Sequence, residues 1–191
     1  MLMDVIYGDL PELETDRLLL RKITLDDVQD MYAYCSDEKV AEYVTWDTHQ
    51  SISDTTAFVK YALNQYSSKK VAPWGIEYKE NQKLIGTIDF VSWQTNHKTA
   101  EIGYVLARDY WGRGLVTEAA KEIIKFGFNH MNLVRIQARC FEENIGSERV
   151  MEKTGMKFEG ILRKAMLIKG KHRNLKMYSI IKEEINSPDR T

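Results

Sequence analysis

The stretch Thr99–Ala120, TAEIGYVLARDYWGRGLVTEAA, constrains this chain more than any other. Its first eight residues pattern as a strand, Gly112-Arg113-Gly114 makes a turn, and a helix begins at once from Leu115. A strand that enters a helix through such a turn leaves backbone N–H groups pointing outward, which is a place to hold phosphate. No Lys-Ser/Thr follows to grip a metal-bound terminal phosphate, so the turn is not a nucleoside-triphosphate loop. It also lacks the third spaced glycine of a dinucleotide fingerprint and follows a strand meander instead of a first strand. A ligand that carries phosphate but reacts elsewhere is what remains.

With 191 residues, 43% of them apolar, the chain can bury one proper core. A single domain over residues 1–191 is expected, its core at about 15–184 with short terminal extensions. The formal charge is −1 with both signs interspersed, which gives no support to a nucleic-acid or membrane-surface role. Two cysteines and an opening MLMDVIYGDL without a charged start or long apolar run predict a reduced, cytoplasmic protein.

Arg17–Lys22 reads as a strand, and Thr24–Asp27 caps a helix whose Val28, Met31, Tyr32 and Cys35 form one buried stripe. Cys35 is a packing residue in that reading. The pattern weakens between Ser36 and Ser53, where Tyr43, Trp46 and His49 belong either to a surface connection or to a substrate-cleft wall. Ser51 or Ser53 then caps a helix with Phe58, Val59, Ala62, Leu63 and Tyr66 on one face. Trp74–Tyr78, Leu84–Val91 and Thr99–Leu106 make an antiparallel meander. The helix from Leu115 to about Asn129 carries a narrow stripe of mostly small residues, and the alternating strand Val134–Phe141 is expected parallel to the one ending at Leu106. A helix from Asn144 to a stop at Gly155 and a hairpin across Lys169-Gly170-Lys171 complete the chain.

Glu101 lies in an otherwise apolar strand, where a carboxylate is paired, outward-facing or functional. The four histidines, His49, His97, His130 and His172, have no metal-ligand spacing among themselves or with the cysteines, and no metal is expected.

Taken together, LETDRLLLRKIT, AEIGYVL, YWGRGLVTEA, NIGSERVMEKTGMKFEG and the closing hairpin resemble the GNAT N-acetyltransferases. Within that superfamily they are most similar to the RimJ/RimL-type branch, which acetylates ribosomal-protein N termini. The resemblance covers nearly the whole chain. It implies an α/β domain with a mixed, mostly antiparallel sheet of about seven strands, splayed at its centre and flanked by about four helices.

It also implies acetyl-coenzyme A as cosubstrate, its pyrophosphate held by Trp111, Gly112, Arg113, Gly114, Leu115 and Val116. Trp111 and Val116 replace the usual Arg or Gln and Gly or Ala of the superfamily, a departure that backbone binding tolerates. The pantetheine arm is expected along Tyr104, Val105 and Leu106 as along a strand edge, with Asn144 reaching it from the other side or serving only as a helix cap. Glu101 is the implied general base acting through water, the Leu106 N–H the oxyanion donor, and Ser147 the hydrogen-bonding partner or proton relay for the leaving thiol. Many superfamily members place a tyrosine where this chain has Met151. The implied acceptor is a protein N-terminal amine; a polyamine, amino sugar or amino acid, and a non-catalytic acyl-coenzyme A module, are the alternatives. A monomer or homodimer is expected.

Overall fold

Two periodicities divide the chain, and the computed structural model, which describes residues 2–185, follows both. In chain order the elements are α1 (Leu2–Gly8), β1 (Leu13–Glu14), β2 (Leu18–Arg21), α2 (Val28–Cys35), α3 (Glu38–Ala41), α4 (Ile52–Ser67), β3 (Trp74–Tyr78), β4 (Lys83–Gln94), β5 (Thr99–Leu106), α5 (Leu115–His130), β6 (Arg135–Phe141), α6 (Ile145–Lys153), β7 (Lys157–Ile168), β8 (Lys171–Ile181) and α7 (Lys182–Ile185). The strands form one eight-stranded sheet in the order β1-β2-β3-β4-β5-β6-β8-β7. Its pairs are antiparallel except β5 with β6, as a strand-helix-strand crossover requires. The strand beyond the expected seven is the two-residue β1, and α1, α3 and α7 are short additions to the four expected helices.

α5 lies on one face of the sheet, where its stripe of small residues lets it approach closely. A Cβ on Gly127 would stand 2.9 Å from Ile136 Cδ1 and 3.0 Å from Phe90 Cζ. Trp74 packs edge-on against Phe126 and Phe90 at 5.8 and 6.3 Å, and its Nε1 donates to the Pro11 carbonyl at 2.7 Å. That bond ties the N-terminal segment down, so Ile6, Tyr7 and Leu10 join the same core.

α2 and α4 pack together and against the opposite face. Ser51 and Asp54 form the capping box of α4, and Val59, Ala62 and Tyr66 are buried. In α2 the buried residues are Met31, Tyr34 and Cys35; of the expected stripe Val28, Met31, Tyr32 and Cys35, Val28 and Tyr32 are only half-buried, and Tyr34 takes a core position instead. Met31, Tyr34 and Cys35 stand at i, i+3 and i+4 and so share one face, and α2 packs against α4 and β4. Burial pushes the Cys35 thiol up to about 12, consistent with packing and not with reactivity.

The feature that shapes the site lies between β5 and β6. Their parallel ladder runs from Thr99↔Arg135 to Ile102↔Ala138 and stops, although β5 continues to Leu106 and β6 to Phe141. β6 stays paired with β8 up to Phe141↔Leu175, and β5 with β4 up to Gly86↔Leu106. The sheet therefore splays at its centre. The closing hairpin turns on two residues, Lys169 and Gly170, both with positive φ, so Lys171 belongs to β8 and not to the turn.

Close approach of β4 to β5 holds the free end of β5. A Cβ on Gly86 would lie 2.2 Å from the Val105 carbonyl oxygen and 3.1 Å from Leu106 Cα, both backbone atoms. Gly86→Ala is expected to destabilise the fold by more than about 2 kcal/mol in urea unfolding, because neither contact can rotate away; an unchanged midpoint would contradict this packing.

Candidate active site

β5 ends in a 3₁₀ turn, Arg108–Tyr110, and the chain then passes through Trp111 to Gly114 into α5. Gly112 and Gly114 have φ of 75° and 76°, left-handed conformations that glycine adopts without strain. The backbone N–H groups of residues 112–117 find no acceptor among the described residues. They form a ready anion site at the positive end of the helix dipole.

The β1–β2 connection braces this turn. Arg17 donates from Nη1 to the Arg113 carbonyl at 3.0 Å and from Nε to Glu118 at 2.7 Å, while Thr15 donates to the same carboxylate at 2.6 Å. Burial raises the Glu118 carboxyl, but the bonds from Thr15 and Arg17 outweigh it and hold the group below its ordinary value. The Arg113 guanidinium lies over the Tyr110 ring at 5.2 Å. Trp111, 47% exposed, folds back so that Nε1 donates to the Leu106 carbonyl at 2.8 Å.

The splay has two unlike walls. Ala107 donates its N–H to Ile85 on β4 at 2.7 Å, so by strand alternation the N–H groups of Leu106 and Tyr104 point the other way, into the gap. Across it stand Asn144 and Ser147. The Asn144 carboxamide oxygen accepts from the Ser147 N–H at 3.0 Å, the cap role weighed from sequence, and no protein partner engages its amide nitrogen among the described residues. The Ser147 hydroxyl lies 2.8 Å from the Tyr104 hydroxyl, which also bonds the Ser147 carbonyl at 3.1 Å. Burial pushes the Tyr104 phenol above its ordinary range. Met151, one turn beyond Ser147, is buried in the core.

Glu101 faces the other side of the sheet, an odd position on the strand that offers Tyr104 at an even one. It is 7% exposed and accepts from Arg139 Nε at 2.7 Å and Gln137 Nε2 at 2.9 Å. Of the three readings open to it in the sequence, pairing is therefore present. Phe141, on the same face of β6 as Arg139, packs against Tyr43 at 6.4 Å. The segment carrying Tyr43 is tied across this face by Arg108 to Asp37 at 2.9 Å and by Lys169 to the Ala41 carbonyl at 2.7 Å.

A second carboxylate shares this face. Asp89 on β4 stands opposite Gly103 of β5, its Oδ1 3.6 Å from where a Gly103 Cβ would lie. It makes no hydrogen bond or ion pair among the described residues, and burial pushes its carboxyl up to about 7.

Residues 17–157 match the family described as the acetyltransferase (GNAT) domain. The chain belongs to that family. Among GNAT relatives, N-acetyltransferase YoaA of Bacillus subtilis (strain 168), itself uncharacterized, is 36% identical over 172 residues, 90% of this chain and 97% of YoaA. A GNAT-family acetyltransferase structure from Bacillus anthracis superposes with a TM-score of 0.81 at 32% identity, covering 91% of this chain and all of that one. The structure of the microcin C7 self-immunity acetyltransferase MccE, a complex with acetyl-CoA and AMP, superposes with a TM-score of 0.78 at 26% identity, covering 87% of this chain and 93% of that one. This GNAT chain is accordingly an N-acetyltransferase, on one α/β domain of the family type.

No cluster of histidine, cysteine or acidic residues among the described residues could hold a metal. His49 instead shares a hydrogen bond with the buried Thr55, at 2.8 Å, and His130 stacks on Phe126. No helix among them is long and apolar enough to cross a membrane.

Three site features were not read from the GNAT sequence. Tyr104 was assigned by its backbone alone, Arg17 had only its place in the RLLLRK strand, and Asp89 resembles any outward residue of an alternating strand. The Tyr104 side chain is the only one of these with a local signal, an aromatic on the apolar face of β5.

Asp89 makes the stability of this GNAT fold depend on pH. Its folded pKa lies above the ordinary carboxylate value, so its contribution is fully present below the unfolded pKa and lost as pH rises toward about 7. Asp89→Asn removes that loss, and its melting temperature relative to wild type is expected to be higher at pH 8 than at pH 5 by at least about 2 °C in calorimetry. Equal differences at the two pH values would mean that the acid is not desolvated.

Proposed function

We propose that this chain transfers the acetyl group of acetyl-CoA to the N-terminal α-amine of a protein by direct attack, in the manner of the RimJ/RimL branch. The observation that carries the reading is the continuity of one opening: six free N–H groups at residues 112–117 lead into the β5–β6 splay, with Ser147 on one side of the sheet and Glu101 on the other. These features fit a long ligand with a pyrophosphate at one end and amides along its length.

In this reading Trp111, Gly112, Arg113, Gly114, Leu115 and Val116 line the pyrophosphate site. Tyr104, Val105 and Leu106 pair with the pantetheine amides, and the free amide nitrogen of Asn144 meets them from α6. Acetyl-CoA supplies the thioester. Glu101 takes the amine proton through water, using lone pairs that Arg139 and Gln137 leave open. The Leu106 N–H, directed into the splay, donates to the oxyanion. The Ser147 hydroxyl, backed by the Tyr104 phenol, donates to the departing thiolate. A thiol of pKa about 8.5 is a far stronger acid than either hydroxyl, so a hydrogen bond or relay is the role that chemistry allows.

Support for a protein acceptor comes from B. subtilis YdaF, provisionally named a ribosomal N-acetyltransferase, which is 30% identical over 151 residues, 78% of this chain and 81% of YdaF. A small polyamine is the second reading, favoured by a match to the Escherichia coli (strain K12) spermidine N(1)-acetyltransferase, 32% identical over 89 residues, 47% of this chain and 48% of that one.

Incubation with labelled acetyl-CoA and a lysate of the source cell, followed by mass spectrometry, tests the acceptor; label confined to polyamines would replace the N-terminal reading. With the acceptor in hand, Glu101→Gln is expected to lower kcat at neutral pH by about 10²- to 10³-fold with cofactor affinity nearly intact. Ser147→Ala should lower it by about tenfold or more, through loss of the thiol's partner. Unchanged turnover in either variant removes that residue from the mechanism.

A further inference from the structure

We propose that Asp89 is the acceptor-binding carboxylate, the anionic contact for a cationic primary amine entering on the Glu101 face. The assignment rests on the acetyl-transfer reading and deepens it.

Three independent features of the fold carry it. The first is placement: Asp89 and Glu101 project from neighbouring strands to one face, with Asp89 level with Gly103 and Glu101 two residues before it on β5. Asp89 thus lies nearer than Glu101 to the unpaired end of β5, the end at which the splay opens.

The second is partnership. Glu101 is already tied to Arg139 and Gln137, whereas Asp89 has no hydrogen bond or ion pair among the described residues. Asp89 is half-buried, and a partly desolvated carboxylate that no protein group pairs is open to a counter-ion supplied from outside. The groups around it do not fill that role. Tyr66 of α4 is engaged with Ile23 N–H and the Pro73 carbonyl, the Tyr7 phenol of α1 feels the Asp89 charge but makes no hydrogen bond to it among the described residues, and Arg139 is committed to Glu101.

The third is access. Gly103 carries no side chain, and the room its Cβ would take is bordered by Val91 Cγ1 at 2.7 Å and Asp89 Oδ1 at 3.6 Å, so Val91 is the side chain that flanks the carboxylate. Val91, which borders the position, is 52% exposed, so the face is open to solvent at that point. An ammonium group seated there forms a charge-assisted hydrogen bond with Asp89, and its alkyl or peptide stem rests on Val91. A hydroxyl in place of the amine supplies no charge to the carboxylate and is discriminated against. The docked ammonium still has to lose a proton before attack, and Glu101 remains the group that takes it.

The test uses the full chain saturated with coenzyme A, with aspartate carboxyls labelled with carbon-13 and the Asp89 signal assigned by its loss in Asp89→Asn. Trialanine, spermidine and, as a control without a free amine, N-acetyl-trialanine are titrated in. At least one of the two amines is expected to shift the Asp89 signal and lower its titration midpoint, while N-acetyl-trialanine leaves both in place. For that amine, Asp89→Asn should raise the dissociation constant by about tenfold or more, with the acetyl-CoA KM held within about twofold and partial recovery in Asp89→Glu. Failure of both amines to move the signal, or an unchanged dissociation constant in a folded Asp89→Asn protein, overturns the assignment. With acetyl-CoA replacing coenzyme A, amine binding at Asp89 without any acetylated product supports the site and overturns the acetyl-transfer reading; product formed with an unaltered amine KM in Asp89→Asn does the reverse.

Discussion

Parallel pairing of β5 with β6 ends at Ile102↔Ala138, and every element of the site depends on that ending. Both strands continue, but each is held by its outer neighbour: β5 by β4 as far as Leu106, β6 by β8 as far as Phe141. Neither can collapse onto the other without surrendering those ladders. The result is an opening at the centre of the sheet, where N–H groups are left for something other than a strand. The glycine turn that follows β5 adds six more free N–H groups at the mouth of the same opening.

Because side chains alternate along a strand, β5 serves two chambers at once. Its even positions send Tyr104 toward α6 and Ser147, and its odd positions send Glu101 toward Gln137 and Arg139. In the proposed mechanism this alternation separates leaving-group chemistry from amine chemistry by the thickness of one strand, with no further device needed. The two carboxylates of the Glu101 face differ by environment, one tied into an ion pair and one without a partner among the described residues, and the roles proposed for them rest on that difference.

The bracing of the phosphate turn shows how a distant segment serves the same opening. Thr15 and Arg17 belong to the start of the chain, yet they grip Glu118 in the first turn of α5 and the carbonyl of Arg113. A turn built on two left-handed glycines has little stiffness of its own. Fastening it from the β1–β2 connection fixes the direction of its amides before any ligand arrives, which reduces the ordering that binding requires.

Much of this was legible in residue order. The glycine turn into α5, the cap at Asn144, the meander of β3 to β5, the crossover to β6 and the closing hairpin are local patterns, and local backbone preferences act over a few residues. The family motifs lie in the same short segments, so the family was legible as well. What the residues alone left open was decided by strand order and register. Tyr104 meets Ser147 across 43 residues and Glu101 meets Arg139 across 38, contacts that exist only once β6 has been laid beside β5. The substitution of Tyr34 for Tyr32 in the core of α2 and the loneliness of Asp89 are of the same kind. Which side chain finds a partner is settled by the packing of segments remote in sequence, and no periodicity within one segment contains that information.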